Sequence, residues 1–342
     1  MSESLPRVAI VGATGAVGAE LIACLQQRRF PLSKLRLFAS DRSSGRRMAF
    51  GHESLPVETL TDDALSSTDI ALFSAGATRS RQFAPHAVRA GAIVVDNSSA
   101  FRMDAGVPLV VPEVNPEAMT GHRGIIANPN CVAIIAVVPL WPLHREFGIR
   151  RVIAATYQAA SGAGAAAMEE LRQATRASLA GESFRPQVLR HPYAFNLFSH
   201  DTSVDPVTGS NEEEIKVRRE LRKIMGTPDL RVSVTCIRVP VLRAHAIALT
   251  VEFEHAVSAH AARELLHRAA GVRVVDDVER NHFPMPNEAS GQGDVLVGRI
   301  RRDGSDPSGH SLSLFIAGDQ LLKGAALNAV QIAERLVAGS KA

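Results

Sequence analysis

The stretch RVAIVGATGAVGAELIACLQQRR, residues 7–29, limits the fold more than any other part of the chain. A β-rich apolar run leads through GATGAVG into a segment with helical apolar spacing, the order strand, glycine turn, helix. Gly12, Gly15 and Gly18 leave the backbone bare where a pyrophosphate can approach the first amides of a helix. The spacing is G-x-x-G-x-x-G, so the flanking strand and helix carry the reading against a merely tight structural turn.

Further strand-like runs, KLRLFAS at 34–40, DIALFSAG and GAIVVDNSS, alternate with helical segments, which predicts βαβ units around a parallel sheet. After residue 131 the pattern changes. RVIAATYQAA, LRVSVTCIRVPV and AIALTVEFEH are longer strand-like runs, separated by helices near AAAMEELRQATRASL and EEEIKVRRELRKIM. The expected fold class is therefore α/β: a Rossmann-type dinucleotide-binding domain over 1–131, then a mixed α+β domain with an open sheet over 132–318. The segment 319–342 has helical spacing at Ala326, Val330, Ala333 and Val337 and is expected to pack back on the first domain. HDTSVDPVTGSN at 200–211 reads as the principal surface loop.

With 342 residues, 46% hydrophobic and 21% charged, the chain has the material for two globular cores and no run of 18 apolar residues. No membrane partner is expected, and the apolar start without a basic leader reads as cytoplasmic. A formal charge of +3 and 5% aromatics, without basic and aromatic residues interleaved, argue against nucleic acid. Arg299, Arg301 and Arg302 read as solvated surface. Three cysteines without C-x-x-C spacing argue against a disulfide framework or a metal site.

At the end of the second strand an acidic residue would select NAD, whereas Arg and Ser suit a 2′-phosphate. The stretch ASDRSSGRR offers Ser40, Arg42 and Ser43 to the phosphate, with Asp41 as the competing signal; NADP is expected. Cys24 has the helical spacing of a small core hydrophobe. Cys131, in IIANPNCVAI, instead follows a Pro-Asn turn and opens a helix, whose amides favour a thiolate. A thiolate beside a nicotinamide suits thioester or thiohemiacetal chemistry. The bland alternative is a half-buried inert cysteine. His245, in RVPVLRAHAIAL, reads as a polar ring within an apolar strand and is a candidate proton handler, with Arg238 a possible anion clamp if Pro240 bends the strand.

Together GATGAVG, VVDNSSAFR, NPNC, TYQAASGAG, EEEIK, RVPV with its following His and KGAALNAVQIAE resemble the aspartate-semialdehyde dehydrogenase family nearly end to end. The resemblance implies reversible reduction of aspartyl phosphate by NADPH to aspartate semialdehyde, with phosphate released, by a homodimer that pairs through the open sheet of the second domain; 1–131 is then the Rossmann-type NADP-binding domain and 132–318 the mixed α+β catalytic and dimerisation domain. It implies Cys131 as nucleophile, His245 as acid/base, Gln158 as the orienting residue and Asn130 as an oxyanion donor. It assigns Arg102 and Lys216 to the acyl phosphate, Arg238 to the substrate carboxylate and Glu213 to its ammonium group. Thr14, Ala16 and Val17 join the three glycines at the cofactor, as do Ser161, Gly162 and Gln320.

The chain departs from the family at Val132 and Ala133, where small polar residues are usual, and at Leu322, where a basic residue is usual. Ala244-His245-Ala246 and Asp319-Gln320 replace the common Gly-His-Ser and Asp-Asn. A Usg-type paralogue of binding or regulatory role stays as the second reading. N-acetyl-glutamyl-phosphate reductase, which shares the reaction type and lacks NPNC, is a third.

Overall fold

The computed structural model describes residues 5–339; positions 1–4 of the expected first domain and 340–342 of the expected terminal segment lie outside the described residues. The chain forms two units, one of residues up to Asn130 together with those from Ala325 on, the other Cys131–Gly324.

In the first unit the glycine turn joins β1 (Arg7–Val11) to α1 (Ala16–Gln27), and β2 (Lys34–Ala39) follows. A hairpin of β3 (Arg47–Phe50) and β4 (Glu53–Thr59) comes next, then β5 (Ile70–Phe73), α2 (Ala77–Arg89), β6 (Ile93–Asp96) and β7 (Ile125–Ala127). The sheet order is β3-β4-β2-β1-β5-β6-β7, parallel except for the β3–β4 pair. Ala9, Val11, Phe73 and Val94 cluster with Phe83, Ala84 and Ala87 of α2. Strand alternation turns Val8 and Ile10 to the opposite face.

The second unit begins with α3 (Cys131–Phe147), whose side chains are buried along most of its length, and β8 (Ile149–Gln158). Then come α4 (Ala165–Leu179), β9 (Phe198–Ser199), α5 (Glu212–Met225), β10 (Arg231–Arg238) and β11 (His245–Phe253). The unit closes with α6 (Ala259–His267), β12 (Val272–Val274), α7 (Pro286–Ala289), β13 (Val295–Arg302) and β14 (Ser311–Gly318). Its mixed sheet runs β12-β13-β14-β11-β8-β10-β9. Helices α3, α5 and α6 cover one face. On the other, Ile153, Ser233 and Thr235 stay exposed, leaving the open face that the sequence suggests.

Two expectations are corrected. RVPVLRAHAIAL is not one strand: β10 ends at Arg238, a loop runs over 239–244, and β11 starts at His245. The two strands flank β8 on opposite sides, so no bend at Pro240 within a single strand is involved. The terminal segment is also not one helix from 319. A π-turn at Leu322–Ala326 precedes α8 (Leu327–Gly339), and residues through Gly324 belong to the second unit. Within the first unit α8 packs on α1, with Arg28 and Glu334 paired at 2.6 Å.

Candidate active site

Three neighbouring strands deliver their site residues to one end of the second sheet. Gln158 ends β8 and lies in register with Arg238 at the end of β10, and β11, running the other way, begins there with His245. Opposite His245 is Gly318, the last residue of β14, which leads into Asp319 and Gln320. Cys131 is the first residue of α3, and its Sγ lies 3.5 Å from His245 Nε2.

His245 is 0% exposed, and its Nδ1 accepts a hydrogen bond from the Ala159 amide at 3.0 Å. An amide N–H can only donate, so the neutral ring must carry its proton on Nε2, facing the sulfur. Burial, then the nearby Arg238 and His200, hold its pKa well below the usual value. A Cβ on Gly162 would stand 3.1 Å from Arg238 Nη1 and 3.2 Å from His245 Nε2, so this position keeps the space beside both side chains.

The Gln158 amide is fixed from both ends: its Oε1 accepts from Thr156 Oγ1 at 3.0 Å and its Nε2 donates to Glu213 Oε1 at 3.2 Å. Glu213 lies in the first turn of α5, whose start is set by a capping box between Asn211 and Glu214. Lys216, one turn on, is half-buried with Glu212 at 3.5 Å. Arg238 is buried, donating to Asp201 at 3.4 Å and to the Ala159 carbonyl at 3.3 Å. Asp201 and its neighbour His200, whose pKa burial and Arg238 push down, escaped the sequence reading because they sit in a loop without periodicity. Gln320 donates to Ser161 Oγ and accepts from the Ala244 amide at 2.9 Å, tying two expected cofactor residues together. Val132 and Ala133 are buried in α3, whereas Leu322 is half-buried in the π-turn.

The first unit holds Arg102 by hydrogen bonds to the carbonyls of Asn128 at 2.9 Å and Asn97 at 2.8 Å. In the NPNC motif Asn128 accepts from Asn328 of α8 at 2.7 Å, a structural tie, and Asn130 is buried beside Cys131 in the chain. The glycine turn is a cradle. Gly12 has φ +91°, and a Cβ there would lie 2.4 Å from the Ser74 carbonyl oxygen; one on Gly18 would lie 2.2 Å from the Gly12 oxygen. Helix α1 starts with no side-chain cap and no acid in its first turn, so the amides of Ala16, Val17 and Gly18 face no competing carboxylate from it. Both features fit a dinucleotide. A cavity of about 440 Å³ is lined by Gly12, Thr14, Gly15, Ser40 and Asp41, with Ser74 just after β5 and Arg79 and Gln82 of α2. Ser43 reaches Thr14 at 3.3 Å, but neither it nor Arg42 lines the cavity.

A dinucleotide cradle on a parallel sheet in one unit, and a buried histidine against a helix-opening cysteine in the other, define the class as a two-domain dehydrogenase. Family models agree, with a semialdehyde dehydrogenase NAD binding domain over residues 7–122 and a semialdehyde dehydrogenase dimerisation domain over 140–323. Aspartate-semialdehyde dehydrogenase of Synechocystis is 51% identical over 97% of each chain. The crystal structure of aspartate semialdehyde dehydrogenase II from Vibrio cholerae matches with a TM-score of 0.94 at 41% identity, covering 98% of this chain and 99% of that one. A second structure of that enzyme, complexed with ASA, matches with the same TM-score at 40% identity, again over 98% and 99% of the two chains. The chain belongs to the aspartate-semialdehyde dehydrogenase family.

Proposed function

We propose that this chain catalyses the reversible NADP-dependent reduction of aspartyl phosphate to aspartate semialdehyde, releasing phosphate, in amino-acid biosynthesis from aspartate. The observation that carries the reading is the 3.5 Å approach of Cys131 Sγ to a His245 ring held through Nδ1. Protonating that ring would turn an Nδ1–H against the Ala159 N–H. His245, which the family resemblance gives as acid/base, is therefore read here as a neutral donor, its Nε2–H stabilising the thiolate, and the helix start adds to this.

The thiolate attacks the acyl carbon; the C–S bond forms, the C–O bond to phosphorus breaks, and phosphate leaves with the electron pair. When bound, NADPH supplies the hydride that takes the Cys131 thioester to the aldehyde level. Cleavage of the C–S bond then regenerates a thiolate facing the same Nε2–H. Gln158, fixed between Thr156 and Glu213, orients the substrate, and Asn130 donates to the developing oxyanion. Arg238 takes the substrate carboxylate and Glu213 its ammonium group, while Lys216 and Arg102 supply cations for the phosphate.

Gly12, Thr14, Gly15, Ala16, Val17 and Gly18 hold the cofactor pyrophosphate, and Ser40, Arg42 and Ser43 serve its 2′-phosphate. Ser161, Gly162 and Gln320 are assigned to the cofactor on the family resemblance. We read the enzyme as a cytoplasmic homodimer built on the open sheet face; among the described residues no helix is long and apolar enough to cross a membrane. The relatives favour this reading over the divergent paralogue. The test is phosphate-dependent NADP reduction with aspartate semialdehyde, joined to intact mass after aspartyl phosphate. An acyl adduct on Cys131 that NADPH discharges is expected; unchanged mass and no NADP reduction would overturn it.

A further inference from the structure

Asp41 lines the cofactor cavity, where its carboxylate would repel a 2′-phosphate, and Arg42, the cation expected to offset it, does not. Arg79 does. It stands in the first turn of α2, exposed, and its guanidinium has no hydrogen-bond or ion-pair partner among the described residues. Two residues on, Arg81 is committed to the protein itself, donating to the Ala100 carbonyl, pairing with Asp104 at 3.7 Å and lying over the Phe101 ring. Arg79 is thus the cation of this wall left available to an anion, and it shares one cavity with the Ser40 and Asp41 end of β2, where the adenosine ribose belongs.

We infer that Arg79 is a specificity-determining residue for the 2′-phosphate of NADP, offsetting Asp41 across the cavity. This rests on the NADP reading above. It adds to that reading that the discriminating charge comes from α2 as well as from the loop after β2. A guanidinium can meet a phosphate with two parallel N–H donors, a geometry that a lysine or an amide cannot reproduce.

Calorimetric titration of the full chain with 2′,5′-ADP and with 5′-AMP separates the two ideas. Wild-type protein is expected to bind 2′,5′-ADP more tightly than 5′-AMP. Arg79→Ala should weaken 2′,5′-ADP by about tenfold or more, the loss of one charge-assisted contact, and change 5′-AMP by less than about threefold. Arg79→Lys should recover part of the difference. If the wild type prefers 2′,5′-ADP and Arg79→Ala leaves that preference intact, NADP selection stands and the role of Arg79 falls. Equal weakening of both ligands would also overturn it, because Arg79 would then serve the adenine or the 5′-phosphate. A wild type without preference defeats both. As Arg79 is exposed, the variant should retain the wild-type melting temperature.

Discussion

The protonation state of His245 can be tested through the thiol it faces. If the ring is neutral, it gives Cys131 one hydrogen bond to a charged sulfur, worth roughly 1.5–3 kcal/mol. At about 1.4 kcal/mol per pKa unit, His245→Ala should then raise the thiol pKa by roughly 1–2 units. If the ring were instead an imidazolium paired with thiolate, two unit charges 3.5 Å apart at an effective dielectric near 20 would interact by about 5 kcal/mol. Removal would then raise the pKa by more than about 3 units. The assay is the rate of alkylation of Cys131 across a pH series, read by intact mass, with Cys24 and Cys236 serving as buried, slow internal controls. Wild type should show one sigmoid with a midpoint below the free-thiol value of about 8.5. His245→Gln, which can place an amide N–H near the position of Nε2–H, should stay closer to wild type than His245→Ala. A wild-type rate that stays flat down to about pH 5, or an Ala shift beyond about 3 units, would refute the neutral-donor assignment.

Other substitutions probe separate parts of the protein. Cys131→Ser should keep the melting temperature within a few degrees and abolish turnover, measured by NADP reduction, since an unactivated hydroxyl is a far poorer nucleophile. Gly12→Ala drives a Cβ into the Ser74 carbonyl and should cost several kcal/mol or abolish cofactor binding, measured by denaturant melts and NADP titration. Ala244, the residue before His245, has φ +70°; Ala244→Gly should stabilise the protein by about 0.5–1 kcal/mol in a denaturant melt. Ile153→Arg on the open sheet face should shift the protein to monomer in sedimentation velocity.

What could be read from the sequence follows from which signals are local. Strands β1, β5 and β6 are buried in a parallel sheet and show as near-continuous apolar runs, and α5 carries its own caps. The hairpin of β3 and β4 lies at a half-exposed edge, includes Pro56, and leaves no comparable pattern. Pro240 marks a disturbance between Arg238 and His245, but the loop is otherwise nearly as apolar as the strands it joins and its left-handed residue is an alanine, so the sequence suggested a bend where two separate strands meet a loop. Cys131, Gln158, Arg238 and His245 stood out by motif, yet their convergence depends on strand register, a long-range property. Arg79 could not be told from Arg81 by type or spacing; only their partners separate them.

The unit boundaries bear on how the chain is made. The second unit is one unbroken stretch and has all its parts once Gly324 has been synthesised. The first unit lacks α8 until the chain has been made through Gly339, and with it the Asn328 amide, which bonds to Asn128 across 200 positions of sequence. The nucleotide-binding unit is therefore begun before the other and finished after it, so a nascent chain should acquire its buried histidine site before it can hold a dinucleotide. Shortening the chain by its last helix should leave the second unit folded and the first unfinished.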